Sequence, residues 1–238
     1  MVILCILKPH SKLGKHFHLG IIMSNKLRFQ PLGFLGYYIS YVYKFTKDIT
    51  KSADNSIFVY LVVIFVITLL RRFLPGFVLP IAALLFFSAP YLMKSQVTGL
   101  KWNLNGVLLG VAVSVIILSI YVVIVNKPIK LGKISYMLLI LQLFLVALPE
   151  EVFFRGYLQE KIGNNLRGIL IVSSLFAIGH FATVCLGGGY VGIVCLKTLL
   201  TFFPSIVMGF MYAKTGTIWG NVIFHFLANV VYEGTWGL

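Results

Sequence analysis

The chain has 238 residues, 59% of them hydrophobic and only 11% charged. Wetting an ordinary soluble domain takes roughly 25% charged residues, so this composition excludes a disordered chain and argues against a soluble globular one. Twenty Lys and Arg against six Asp and Glu leave a net charge of +14. A nucleic-acid binder would spread that excess over a wetted basic face, whereas the loops of a membrane protein carry it to anionic headgroups.

In chain order, residues 1–28 hold five Lys or Arg, no acid, and His10, His16 and His18. They read as a basic, disordered N-terminal tail. His16 and His18 have no third ligand nearby, and Met23 before Ser-Asn-Lys is an alternative start. Residues 31–45, crowded with Tyr37, Tyr38, Tyr41 and Tyr43, are too short to span a bilayer and read as an interfacial helix. Apolar runs then fall at 56–74, 76–93, 104–126, 134–149, 166–184, 191–213 and 217–231. Arg71, Arg72 and Pro75, the Lys94–Lys101 stretch, the Lys127-to-Lys133 stretch, Gly163, and Lys214 to Gly216 separate most of them. Trp102 and Trp219 fall where interfacial aromatics would. The expected architecture is all-α: a polytopic membrane helix bundle of about seven helices (six to eight) enclosing an intramembrane polar cavity. The expected division is a tail at 1–28, variable N-terminal helices at 29–103 and a main membrane domain at 104–238. Eight of the twenty basic residues precede residue 56, which places the N-terminus on the cytoplasmic side. Cys5, Cys185 and Cys195 are odd in number, lack metal-ligand spacing, and read as small apolar residues with no disulfide framework.

Ionisable groups within hydrocarbon cost several kcal/mol unless paired or facing water, so polar residues inside the apolar runs carry the information. Three clusters qualify: Glu150-Glu151-x-x-x-Arg155, Phe176-x-x-x-His180 and His225-x-x-x-Asn229. Glu151 and Arg155 share a helix face and can pair, while Glu150 lies about 100° around the helix and can point elsewhere. Pro149, lacking an N–H, is expected to kink or interrupt that helix. Each cluster alone has a plainer reading. Gln159, Glu160 and Lys161 follow the first, as at a helix end in water. His180 could be a satisfied core histidine, and His225 with Asn229 could be interhelical hydrogen-bond glue. Together, on three helices, they suggest one wet interior site. There Glu150 could take a proton from water held by His180, while His225 and Asn229 donate to an oxyanion.

These three motifs, in this order, resemble those of the CAAX-protease and bacteriocin-processing (CPBP, or Abi) family of intramembrane proteases. Glu150 to Gly156 is similar to its EExxxRG motif, Phe176 to His180 to FxxxH, and His225 to Asn229 to HxxxN; the resemblance covers roughly residues 104–234. It implies an intramembrane endopeptidase acting on a membrane-associated protein or peptide, with catalytic Glu150, His180, His225 and Asn229 supported by Glu151, Arg155 and Phe176. Members are classed as metal-free glutamate-type or as metalloproteases. The reading taken is that no cofactor is required; a divalent metal such as zinc on Glu150, His180 and His225 is the alternative, although no HExxH motif is present. The resemblance also leaves open a non-proteolytic bacteriocin-immunity or membrane binding protein using the same cavity. The partners implied are the substrate and the lipid bilayer, while the apolar composition excludes nucleic acid; short loops suggest a compact prokaryotic member of the family in the inner membrane.

Overall fold

The structure is a computed structural model that describes residues 56–93, 95–126, 129, 135–189 and 192–236; the expectations for 1–28 and 31–45 lie outside the described residues. Every regular element among the described residues is a helix. Seven helices follow in order: α1 Ser56–Phe73, α2 Pro75–Leu92, α3 Leu104–Val125, α4 Tyr136–Ile162, α5 Leu166–Gly187, α6 Ile193–Thr215 and α7 Trp219–Trp236. The first six are long and apolar enough to cross a membrane. The protein is a polytopic membrane helix bundle.

Which side chains face inward follows from the solvent. Lipid tails reward apolar side chains on the outside, so helices approach through small residues instead. In α3 the buried positions are Gly106, Gly110 and Ser114, one turn apart, while Leu108, Val115, Ile116, Val123 and Ile124 point outward. This small-residue stripe meets α7 so closely that a Cβ on Gly110 would lie 2.4 Å from the Gly220 carbonyl oxygen. The close crossing brings α7, and with it His225 and Asn229, against the rest of the bundle. Phe86, Phe153, Phe154 and Phe176 form a buried aromatic cluster, with Tyr60 edge-on to Phe154 and donating its hydroxyl to the Leu175 carbonyl at 2.7 Å. Trp102 and Trp219 contact each other at 5.6 Å beside the starts of α3 and α7.

Two expectations change. The fourth helix does not stop at Pro149 but continues to Ile162. Directly before the proline, residues Gln142–Ala147 form a widened π turn. That turn relaxes the crowding a proline ring imposes on the preceding carbonyls, so the chain stays helical through Glu150 and Glu151. The cysteines also differ: Cys185, at the end of α5, is disulfide-bonded to Cys195, near the start of α6. Only ten residues separate them, and a loop containing Gly188 and Gly189 folds the chain back. Counting cysteines could not reveal a pair created by that reversal.

Candidate active site

Three π turns border the polar motifs: Gln142–Ala147 precedes Glu150, Phe154–Gln159 contains Arg155, and Ala182–Gly187 follows His180. Each shifts the helical register locally, and such turns recur where a helix must present side chains off its regular stripe. They let α4 present Glu150 and Glu151 to different neighbours.

Glu151 and Arg155 have fully buried side chains and form an ion pair, Nε to Oε2 at 3.3 Å. Arg155 does not direct Nη2 to that carboxylate. Its Nη2 instead donates to the hydroxyl and the carbonyl oxygen of Ser205 on α6, at 3.0 and 3.3 Å. One turn further on, buried Gln159 donates to the Gly209 carbonyl at 2.9 Å, again on α6. Glu151, Arg155 and Gln159 therefore form an inward polar stripe fastening α4 to α6. The reading of this segment as a helix end in water fails, because all three are 0% exposed.

The second oxygen of Glu151 accepts a hydrogen bond from His225 Nδ1 at 2.9 Å. With Nδ1–H committed there, the ring's Nε2 is turned towards Glu150, 3.8 Å from its Oε2. His180 arrives from α5: its Nδ1 donates to the Phe176 carbonyl at 3.0 Å, and its Nε2 lies 3.9 Å from the same Glu150 oxygen. Separations of 3.8 and 3.9 Å exceed a direct hydrogen bond but suit one small molecule or substrate atom lying between the groups. Glu150 Oε2 is buried and makes no protein hydrogen bond.

Phe176 packs at the centre. Its ring lies 4.3 Å from that of His180 and 5.8 Å from that of His225, with the Arg155 guanidinium 5.7 Å from its centroid. It packs against both imidazoles and the guanidinium at once. A cavity of about 70 Å³ opens here, lined by Phe176, His180, Thr201, Pro204, Met208, Phe224, His225, Ala228 and Asn229. That is room for a water or two, and the lining supplies polar partners for them.

Glu150, His180 and His225 thus come together. Asn229 lines the same cavity, but its Nδ2 also donates to Gln142 Oε1 on α4 at 3.0 Å. Gln142, Ser205 and Gln159 were not singled out from the sequence as parts of the site. The signal for the first was available, since Gln142 is a polar residue inside an apolar run. Ser205 and Gln159 become legible only once α4 and α6 are placed side by side. One carboxylate and two imidazoles are suitable zinc donors in kind, yet among the described residues no three His, Cys, Asp or Glu side chains are gathered to hold an ion.

A larger open recess of about 420 Å³ lies elsewhere, between Lys101, Trp102, Asn103 and Thr215–Thr217. It contains no carboxylate or imidazole and offers no acid–base pair.

Residues 132–231 match the family model described as Rce1-like, type II CAAX prenyl endopeptidase. No curated protein and no solved structure matches the chain.

Proposed function

We propose, on the match of residues 132–231 to the family model of type II CAAX prenyl endopeptidases, that the protein hydrolyses a peptide bond near the C-terminus of a membrane-associated protein or peptide, with Glu150 as the general base. The observation that carries this reading is the approach of one buried carboxylate oxygen to two imidazole Nε2 atoms, at 3.9 and 3.8 Å, beside a small cavity that both histidines and Asn229 line.

The hydrogen bonds support a division of roles. His180 donates through Nδ1, so its neutral ring presents an Nε2 lone pair. A water between His180 and Glu150 gives one O–H to that lone pair and the other to the carboxylate, which directs its oxygen lone pair at a carbonyl carbon. As the C–O bond forms, the proton passes to Glu150. When the tetrahedral intermediate collapses, Glu150 returns that proton to the departing amine, and the C–N bond breaks.

The developing oxyanion needs donors. Because Nδ1–H of His225 is given to Glu151, its Nε2 carries a hydrogen only as the imidazolium, for which Glu151 is the counter-charge. The Asn229 amide supplies a second N–H from the next turn of α7. Removing one such donor typically costs about 2.7–4 kcal/mol in the barrier. Glu151 and Arg155 hold the α4 backbone in place, and Glu151 fixes the orientation of the His225 ring.

No step in this scheme requires a metal. The family description supports one substrate class: a peptide ending in a prenylated CAAX sequence, presented from the bilayer. The eight basic residues before position 56 support a cytoplasmic N-terminus. The test is cleavage of a farnesylated, fluorogenic C-terminal peptide by purified protein in detergent. Wild type should release the terminal fragment and Glu150→Gln should not; equal cleavage by both would refute the assignment.

A further inference from the structure

Resting on that reading of the Glu150 centre, we infer that Gln142 is a positioning residue for the reaction: its side-chain oxygen fixes the orientation of the Asn229 amide.

Gln142 opens the π turn that precedes Glu150, eight positions before it on α4. It is half-buried in a span-length apolar helix. A primary amide in such a place is costly unless paired, so its partner matters. That partner is Asn229 Nδ2, at 3.0 Å across 87 residues of chain. Asn229 lines the cavity next to His225, whereas Gln142 is not part of the lining. Gln142 therefore stands behind Asn229 as seen from the reacting centre.

An asparagine amide has two orientations, which exchange its oxygen and its nitrogen. An oxyanion requires the nitrogen. When Gln142 Oε1 takes one of the two N–H groups of Nδ2, the amide is pinned and the other N–H stays available. Accepting a hydrogen bond also polarises the Asn229 amide, which strengthens its remaining donor. Without an oxygen at position 142, the amide can turn its own oxygen towards the cavity, where it would repel the oxyanion. The arrangement parallels Glu151 on His225: in both cases α4 supplies an acceptor that orients a donor on α7.

The decisive comparison is between Gln142→Leu, which removes the acceptor, and Gln142→Glu, which keeps a carboxyl oxygen there in either protonation state. Both are assayed on the farnesylated peptide, alone and combined with Asn229→Ala, with the thermal midpoint in detergent measured for each. Gln142→Leu should lower kcat about tenfold with KM changed less than about twofold, the signature of a lost transition-state interaction. Gln142→Glu should recover most of that loss. In the Asn229→Ala background, Gln142→Leu should cost less than about twofold further, because the two residues act as one unit. A Gln142→Leu protein with a lowered midpoint but unchanged kcat would show interhelical glue only and overturn the inference. Loss of activity in Gln142→Glu equal to that in Gln142→Leu would also overturn it, since Gln142 would then act as a donor. Glu150→Gln run alongside separates the two claims. If it is inactive while Gln142→Leu is normal, only the present inference falls; if it cleaves normally, the underlying reading falls first.

Discussion

His225 Nδ1 donates a 2.9 Å hydrogen bond to Glu151 Oε1, joining helices whose residues are 74 positions apart. This bond changes what the adjacent acids do. Glu151 is not solely the partner of Arg155; it lies between a guanidinium and an imidazole and orients both. Glu150 is thereby left without a protein hydrogen bond at Oε2, facing the Nε2 atoms of two histidines. A doublet of acids becomes one structural carboxylate and one chemically available carboxylate.

Replacing Glu151 with Gln should therefore impair catalysis as well as folding. The substituted amide can accept from His225 but no longer balances an imidazolium. Cleavage per folded molecule should fall at least about tenfold, and more steeply at higher pH, where His225 loses its proton without the counter-charge. Cleavage–pH profiles of wild type and Glu151→Gln provide the check. Superimposable profiles would show that Glu151 serves only Arg155.

Arg155→Met should principally affect stability. The fully buried Glu151 carboxylate would lose its cation, and Ser205 its donor. Breaking a buried pair from one side costs about 3–5 kcal/mol. Thermal unfolding in detergent should show a large drop in midpoint. A midpoint within experimental error of wild type would mean that the pair is not holding α4 in place.

Gly110→Val tests how α7 is positioned. The new Cβ would meet the Gly220 backbone at 2.4 Å, and backbone cannot swing aside as a flexible side chain can. Overpacking of this kind costs about 1–3 kcal/mol, and forcing α3 from α7 should also disturb His225 and Asn229. Both the unfolding midpoint and kcat should drop, although residue 110 does not line the cavity. An unaffected kcat would place the crossing outside the determinants of site geometry.

These cases show what could be read from the sequence and what could not. Helix number and approximate spans were legible because bilayer thickness makes apolar run length informative. Glu150, His180, His225 and Asn229 were legible because ionisable or amide groups in hydrocarbon stand out against their surroundings. The end of α4 was misplaced, since the apolar run stops at Pro149 before two acids, although Glu151, Arg155 and Gln159 beyond it are buried inside the bundle. Partner choice was also hidden: i,i+4 spacing pairs Glu151 with Arg155, but no local rule pairs it with His225 on another helix. The same is true of Gln142 with Asn229, of Arg155 with Ser205, and of Cys185 with Cys195 across a chain reversal.

Metal dependence gives a further prediction. If water is activated by Glu150 and His180 alone, extended dialysis against EDTA and 1,10-phenanthroline should leave cleavage unchanged. Elemental analysis of the purified protein should find zinc well below stoichiometric. Loss of activity on chelation, restored by added zinc, would instead make Glu150, His180 and His225 ligands and reassign the general base.

The central claim is that Glu150 is the base. Its most direct test is a single-turnover comparison of wild type with Glu150→Gln on the farnesylated peptide, with thermal midpoints measured on the same preparations. The substitution keeps size and polarity but cannot take a proton, so the rate should drop by at least about 10²–10⁴-fold while the midpoint stays close to wild type. A folded Glu150→Gln protein that cleaves at the wild-type rate would contradict the account.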